Sequence, residues 1–167
     1  MSASPPSRRP GLLHSAAGLL RRVLVRRPRS ARAPAPAYPG DFPGRLTPAS
    51  EPQGDGRPDP GEVVWTWVPF EEDHRQGKDR PVLIVGRDGQ WLLGLQLTSR
   101  DHDGRRARDG RLWVDVGAGD WDRQRRPSEV RVDRVVRVDP ARIRREGAVL
   151  SPAAFSAVAD AVARLNR

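Results

Sequence analysis

Proline divides this chain into two parts. Twelve of its 17 prolines fall in residues 1–60, and the other five are scattered over residues 61–167. Proline lacks an amide hydrogen and holds φ near one value, so it breaks helices and is kept out of central strands. A sheet-based core is therefore expected to begin near Gly61. From Pro28 to Pro60 the chain is rich in Pro, Ala and Gly with few large apolar groups. Such a segment buries too little surface to offset its ordering entropy and reads as a disordered linker. The expected organisation is a basic Pro/Ala-rich extension over residues 1–59 and one folded domain over 60–167.

Within the extension, residues 11–25 (GLLHSAAGLLRRVLV) can form a short amphipathic helix. Leu12, Leu13, Ala16, Leu19, Leu20, Val23 and Leu24 share one broad face, with Arg21 and Arg22 opposite. Flanked by Arg8, Arg9, Arg26 and Arg27, such a helix could touch an anionic membrane or RNA, but an unstructured basic tail is the expected reading and membrane contact is not expected. A cleaved secretory signal is not expected either, since no small-residue cleavage site follows cleanly. No apolar run approaches the ~18–20 residues that span a bilayer, and the expected location is cytoplasmic.

Charge is uneven along the chain. Residues 1–60 carry 10 basic and 4 acidic residues, whereas residues 61–167 carry 20 and 17, or +6 and +3 of the total +9. The domain is charge-rich but nearly balanced, so the high pI alone does not argue for a nucleic-acid-binding fold. Arginine outnumbers lysine 29 to 1, and its planar fork suits phosphate, engaging two oxygens at once. The absence of cysteine excludes disulfides, thiolate nucleophiles and cysteine metal sites. His14, His74 and His102 lie far apart without ligand spacing, so neither a metal nor another cofactor is expected.

From Gly61 onward short strands alternate with turns. Residues 62–68 alternate, placing Trp65 and Trp67 on one face as core or dimer-interface residues, and Val64, Thr66 and Val68 on the other. Residues 81–86 are almost continuously apolar, as in a central strand. Arg87-Asp88-Gly89-Gln90 reads as a hairpin turn, and residues 91–98 as the next strand. Leu112–Val116, Ser128–Val132 and Asp133–Val138 follow, separated by polar loops at 99–110 and 117–128. Strands every ~10 residues predict a small antiparallel barrel. Asp139–Ile143 suggests one helical turn. Ser151 as N-cap and Pro152 at the first helical position then announce a C-terminal helix, packed through Phe155, Val158, Ala159, Val162 and Leu165.

One constellation carries chemistry. If strands 81–86 and 91–98 pair through the Asp88-Gly89 turn, Arg80 and Thr98 meet at the far end of the hairpin. Pro81 fixes its own φ and drives Arg80 toward extended backbone. A fixed cation beside a hydroxyl can stabilise a pentacoordinate phosphorane or its leaving oxygen. Gln76, Lys78 and Ser99 border the same mouth. Arg105, Arg106 and Arg123 are candidates for phosphate contact, and Trp121, in an Arg-rich loop, is a candidate for stacking on a base.

Residues 60–166 resemble the PemK/MazF family, the toxins of bacterial toxin–antitoxin systems. Four pieces carry the resemblance in order: Gly61-Glu62-Val63-Val64-Trp65; Gln76-Gly77-Lys78-Asp79-Arg80-Pro81-Val82-Leu83; Leu97-Thr98-Ser99; and Ser128 through Asp139. The resemblance implies an SH3-like barrel with a C-terminal helix, acting as a homodimer. It further implies a sequence-specific endoribonuclease that cleaves single-stranded RNA without metal. The 2′-hydroxyl attacks the adjacent phosphate, leaving 2′,3′-cyclic phosphate and 5′-hydroxyl ends. By position, Arg80 would stabilise the phosphorane or protonate the leaving oxygen, and Thr98 would hold a phosphate oxygen. The implied partner is an antitoxin with a disordered acidic tail, with operator DNA reached only through the antitoxin complex. The sequence departs from the family where many members carry a Glu, for here that position is Arg75. His74, Glu71 and Glu72 are the candidates for the missing base. A silent nucleic-acid-binding barrel and an inhibitor of a protein target, like the gyrase poison CcdB, are the alternatives.

Overall fold

The structure, a computed structural model, describes residues 37–48, 54–102 and 110–167, with residues 145–147 as backbone only. The helix expected at 11–25, most of the expected extension, and the candidates Arg105 and Arg106 lie outside the described residues.

Among the described residues there are seven strands and one α-helix: β1 (Glu62–Pro69), β2 (Gly77–Asp88), β3 (Trp91–Thr98), β4 (Trp113–Gly117), β5 (Ser128–Arg131), β6 (Val136–Val138), a 3₁₀ turn (Pro140–Arg142), β7 (Arg145–Val149) and α1 (Pro152–Leu165). The antiparallel sheet runs β4-β5-β3-β2-β1-β7. On the β3 edge away from β2, β6 pairs with Leu92–Gly94 and β5 with Leu97–Thr98. Two partners at different heights on one edge curl the sheet into a half-barrel, as the spacing of strands predicted.

The apolar run in β2 is buried on both faces, which explains its lack of alternation. Val82 and Ile84 join Val64, Val68, Leu92, Val136 and Val138 inside the curl. Leu83 and Val85 turn the other way, to Val63, Leu93, Leu95, Leu97 and the helix residues Val158, Ala161 and Val162. Gly94 permits the close approach of β2 and β3: a Cβ there would lie 2.3 Å from Val82 Cγ1. The hairpin closes one residue later than the sequence suggested. Asp88 pairs with Trp91, leaving Gly89-Gln90 as the loop, with Gly89 at φ +59°. Such a φ favours glycine at the first loop position.

The C-terminal helix is capped as expected, Ser151 Oγ accepting the Ala154 N–H at 3.2 Å. Its buried face is Val158, Ala161 and Val162, whereas Leu165, expected in the core, is 43% exposed. The register of the buried stripe selects Ala161 instead. β7 pairs antiparallel with β1 and was not foreseen, because Arg144-Arg145-Glu146 gives it no apolar alternation. No described helix is long and apolar enough to cross a membrane.

Residues 37–48, read from sequence as linker, pack onto the sheet. Leu46 is 4% exposed in the main core, with Phe42 packed against it. The Phe42 N–H donates to Val135 O at 2.9 Å. Arg134 donates to both Asp41 carboxylate oxygens at 2.7 and 3.1 Å. Arg137 Nη1 donates to the carbonyls of Gly40 and Asp41, each at 2.9 Å, and its guanidinium sits 5.4 Å from the Phe42 ring centroid. Two side chains, Phe42 and Leu46, one carboxylate and a few backbone hydrogen bonds suffice to dock a segment whose average composition looks unstructured. All described residues belong to one compact unit, Ala35–Arg167.

Candidate functional site

Side-chain parity along β2 fixes the direction of Arg80. Successive strand residues point to opposite faces, so Lys78 and Arg80 share the face of Val82 and Ile84. Gln96 and Thr98 share the face of Leu92 and Gly94 on β3. That face is apolar at the hairpin end and polar at the other. Arg80 lies within β2, opposite Thr66 of β1, rather than in a loop before the strand. The register Val82↔Gln96, continued by two residues, sets Arg80 opposite Thr98. A bulge between Ile84 and Gly86 brings the later-closing hairpin into this alignment.

Arg80 and Thr98 line a cleft of about 660 Å³ with Lys78, Gln96, Ser99, Arg100, His102, Arg111 and Trp113. The always-charged lining side chains are all cations: Lys78, Arg80, Arg100 and Arg111. Burial, then the charges of Arg100 and Arg134, push the Arg80 guanidinium below its ordinary range. Among the described residues no carboxylate pairs with it. A half-buried, unpaired cation among like charges is stabilised by a bound anion. Thr98 Oγ1 accepts the Arg100 N–H at 3.1 Å, which orients the hydroxyl at the strand end. A smaller pocket of about 240 Å³ shares Arg80, Gln96, Arg111 and Trp113, and adds Glu71, Glu72 and Arg131.

Of the other candidates, Lys78 and Ser99 line the cleft, with the Lys78 ammonium also 5.9 Å from the Phe70 ring. Gln76 sits in the preceding turn, its amide donating to Asp73 at 3.0 Å. Arg75, at the family's Glu position, turns to the same Asp73 carboxylate at 3.0 Å. His74 stands edge-on to Tyr38 with centroids 5.0 Å apart and is not among the residues lining the cleft. Glu71 accepts two hydrogen bonds from Arg131, at 2.9 and 3.1 Å. This contact, first among its causes, holds the Glu71 carboxyl below its usual range, leaving it a poor proton acceptor. Arg123 is exposed on the loop before β5.

Trp121 requires a correction. It is 3% exposed, its indole N–H donates to Ser128 Oγ at 3.2 Å, and its carbonyl accepts the Trp65 indole N–H at 2.7 Å. It fixes the loop from inside and offers no face to a base. His102, which the sequence marked only as lacking ligand spacing, stacks on Trp113 at 4.2 Å and 7°. Its Nδ1 lies 2.9 Å from Glu129 Oε2. Nothing local marks that pair, because Glu129 is 27 residues away and is brought in by the Thr98↔Glu129 register. Among the described residues, no group of three or more His, Asp or Glu side chains is arranged to hold a metal ion.

No curated protein matches this chain significantly. A family model does match residues 59–165, the span that contains every strand, the helix and the whole cleft. The chain thus belongs to the family of PemK-like, MazF-like toxins of type II toxin–antitoxin systems.

Proposed function

We propose that this protein is an endoribonuclease toxin that cleaves single-stranded RNA at short sequences by transesterification, without a metal. The observation that carries the reading is Arg80, which has no carboxylate partner among the described residues and faces the same cleft as Thr98. The charged lining of that cleft is cationic. Single-stranded RNA supplies what such a cleft lacks: a phosphate for Arg80 and Thr98, flanking phosphates for Lys78, Arg100 and Arg111, and a 2′-hydroxyl as internal nucleophile. As the 2′-oxygen attacks phosphorus, charge grows on the equatorial oxygens. Fixed donors aimed there stabilise the phosphorane more than the ground state. Arg80, charged throughout, also donates a hydrogen bond to the departing 5′-oxygen.

The working form in this reading is a cytoplasmic homodimer restrained by an antitoxin whose acidic segment covers the cationic cleft. The test is a fluorescent RNA library incubated with the purified chain in EDTA. The expected products carry 2′,3′-cyclic phosphate and 5′-hydroxyl ends at a recurring short sequence. RNA left intact, or 3′-hydroxyl ends, contradicts the proposal.

A further inference from the structure

We propose that His102, held by Glu129, is the general base of this site; the inference rests on the ribonuclease reading and completes it. The cleft holds cations, hydroxyls and the Gln96 amide. Among the described residues that line it, His102 alone carries a basic lone pair. Three contacts fix its ring. One face stacks on Trp113 with centroids 4.2 Å apart. Glu129 Oε2 takes the His102 backbone N–H at 3.0 Å and stands 2.9 Å from Nδ1. Glu129 is 7% exposed and stands opposite Thr98 in the β3–β5 register, so its carboxylate rises beside the proposed phosphate-holding hydroxyl.

The chemistry assigns the tautomer. A carboxylate only accepts hydrogen bonds, so the facing Nδ1 carries the hydrogen and the neutral ring keeps its lone pair on Nε2. A base oriented by a buried carboxylate through its other nitrogen repeats the logic of the hydrolase triads, without sequence likeness to them. The step balances. The 2′-hydroxyl proton passes to His102 Nε2 as the 2′-oxygen bonds to phosphorus. The P–O5′ bond then breaks with its electron pair on O5′, which Arg80 stabilises as a hydrogen-bond donor and which takes its proton from solvent. Solvent in turn removes the proton from His102. The Glu that the family pattern places before Arg-Pro is Arg75 here, and His102 comes instead from the segment that follows β3.

The test compares the full-length wild type, His102→Ala, Glu129→Gln and Arg80→Ala on one RNA. Binding is measured separately on its 2′-deoxy analogue. For His102→Ala the expected result is a fall in kcat on the order of 10²–10⁴-fold with unchanged analogue affinity, and partial recovery when imidazole is added. Glu129→Gln can present its amide N–H₂ to Nδ1 and impose the wrong tautomer, so kcat falls while binding persists. Imidazole does not rescue Arg80→Ala. Wild-type kcat in His102→Ala, or a dead variant that imidazole leaves dead, overturns the base assignment while Arg80→Ala still reports on the ribonuclease reading. A wild type that leaves RNA intact overturns both.

Discussion

Truncating Asp41 tests whether residues 37–48 belong to the folded body. The Arg134 side chain is 6% exposed and that of Asp41 27%. Asp41→Ala removes both carboxylate contacts and leaves the guanidinium only the Pro69 carbonyl, at 3.0 Å. Stranding one partner of a fully buried pair costs about 3–5 kcal/mol. Solvent reaching the Asp41 side and the surviving carbonyl bond reduce this to about 2 kcal/mol. For a body of this size that corresponds to a Tm lowered by roughly 6–10 °C. Tyr38, whose hydroxyl donates to Asp41, loses its partner as well. Urea unfolding followed by tryptophan fluorescence gives the free energy. The double variant Asp41→Ala/Arg134→Met removes the orphaned charge and should recover at least half of the loss. Asp41→Ala within about 0.5 kcal/mol of wild type would refute the docking of this segment.

Gly94→Ala drives a methyl group to 2.3 Å from Val82 Cγ1 and should destabilise by about 1–3 kcal/mol, read from the urea midpoint. Trp121→Phe keeps the ring bulk but loses the indole hydrogen bond to Ser128; stability should fall by about 1 kcal/mol while the affinity for a 2′-deoxy RNA analogue stays unchanged. Glu71 has a depressed folded pKa, so the unfolded chain binds more protons between the two values and stability rises with pH there. That contribution is complete above the unfolded value of about 4.3 and disappears as pH falls through the folded one. Glu71→Gln should therefore flatten this part of the stability–pH curve. With a 44% exposed side chain, screening keeps the change below about 1 kcal/mol.

Local chemistry made much of the fold legible. The Asp88-Gly89 pair marks the hairpin, and Ser151-Pro152 marks the helix start, because turn and cap preferences act within a few residues. Arg80 and Thr98 were reachable because counting back from one hairpin aligns them. What escaped depends on long-range contact. Phe42 and Leu46 dock across many residues of sequence in a proline-rich stretch that averages as linker. Trp121 looked exposed among arginines, yet the Ser128 hydroxyl and the Trp65 indole draw it inside. His102 gains its partner only when β5 is laid beside β3. The β7 strand is recruited by the free edge of β1, a property of the sheet that residues 145–149 do not carry themselves.

The central claim is that Arg80 drives RNA cleavage in this cleft. It is tested most directly by single-turnover cleavage of a defined RNA in EDTA by wild type and Arg80→Ala, with unfolding curves recorded alongside. Arg80 has no ion pair among the described residues, so its loss should leave the unfolding midpoint nearly unchanged. The cleavage rate should fall at least about 10²–10³-fold, the effect of removing a transition-state donor. An Arg80→Ala protein that folds and cleaves at the wild-type rate would contradict the account.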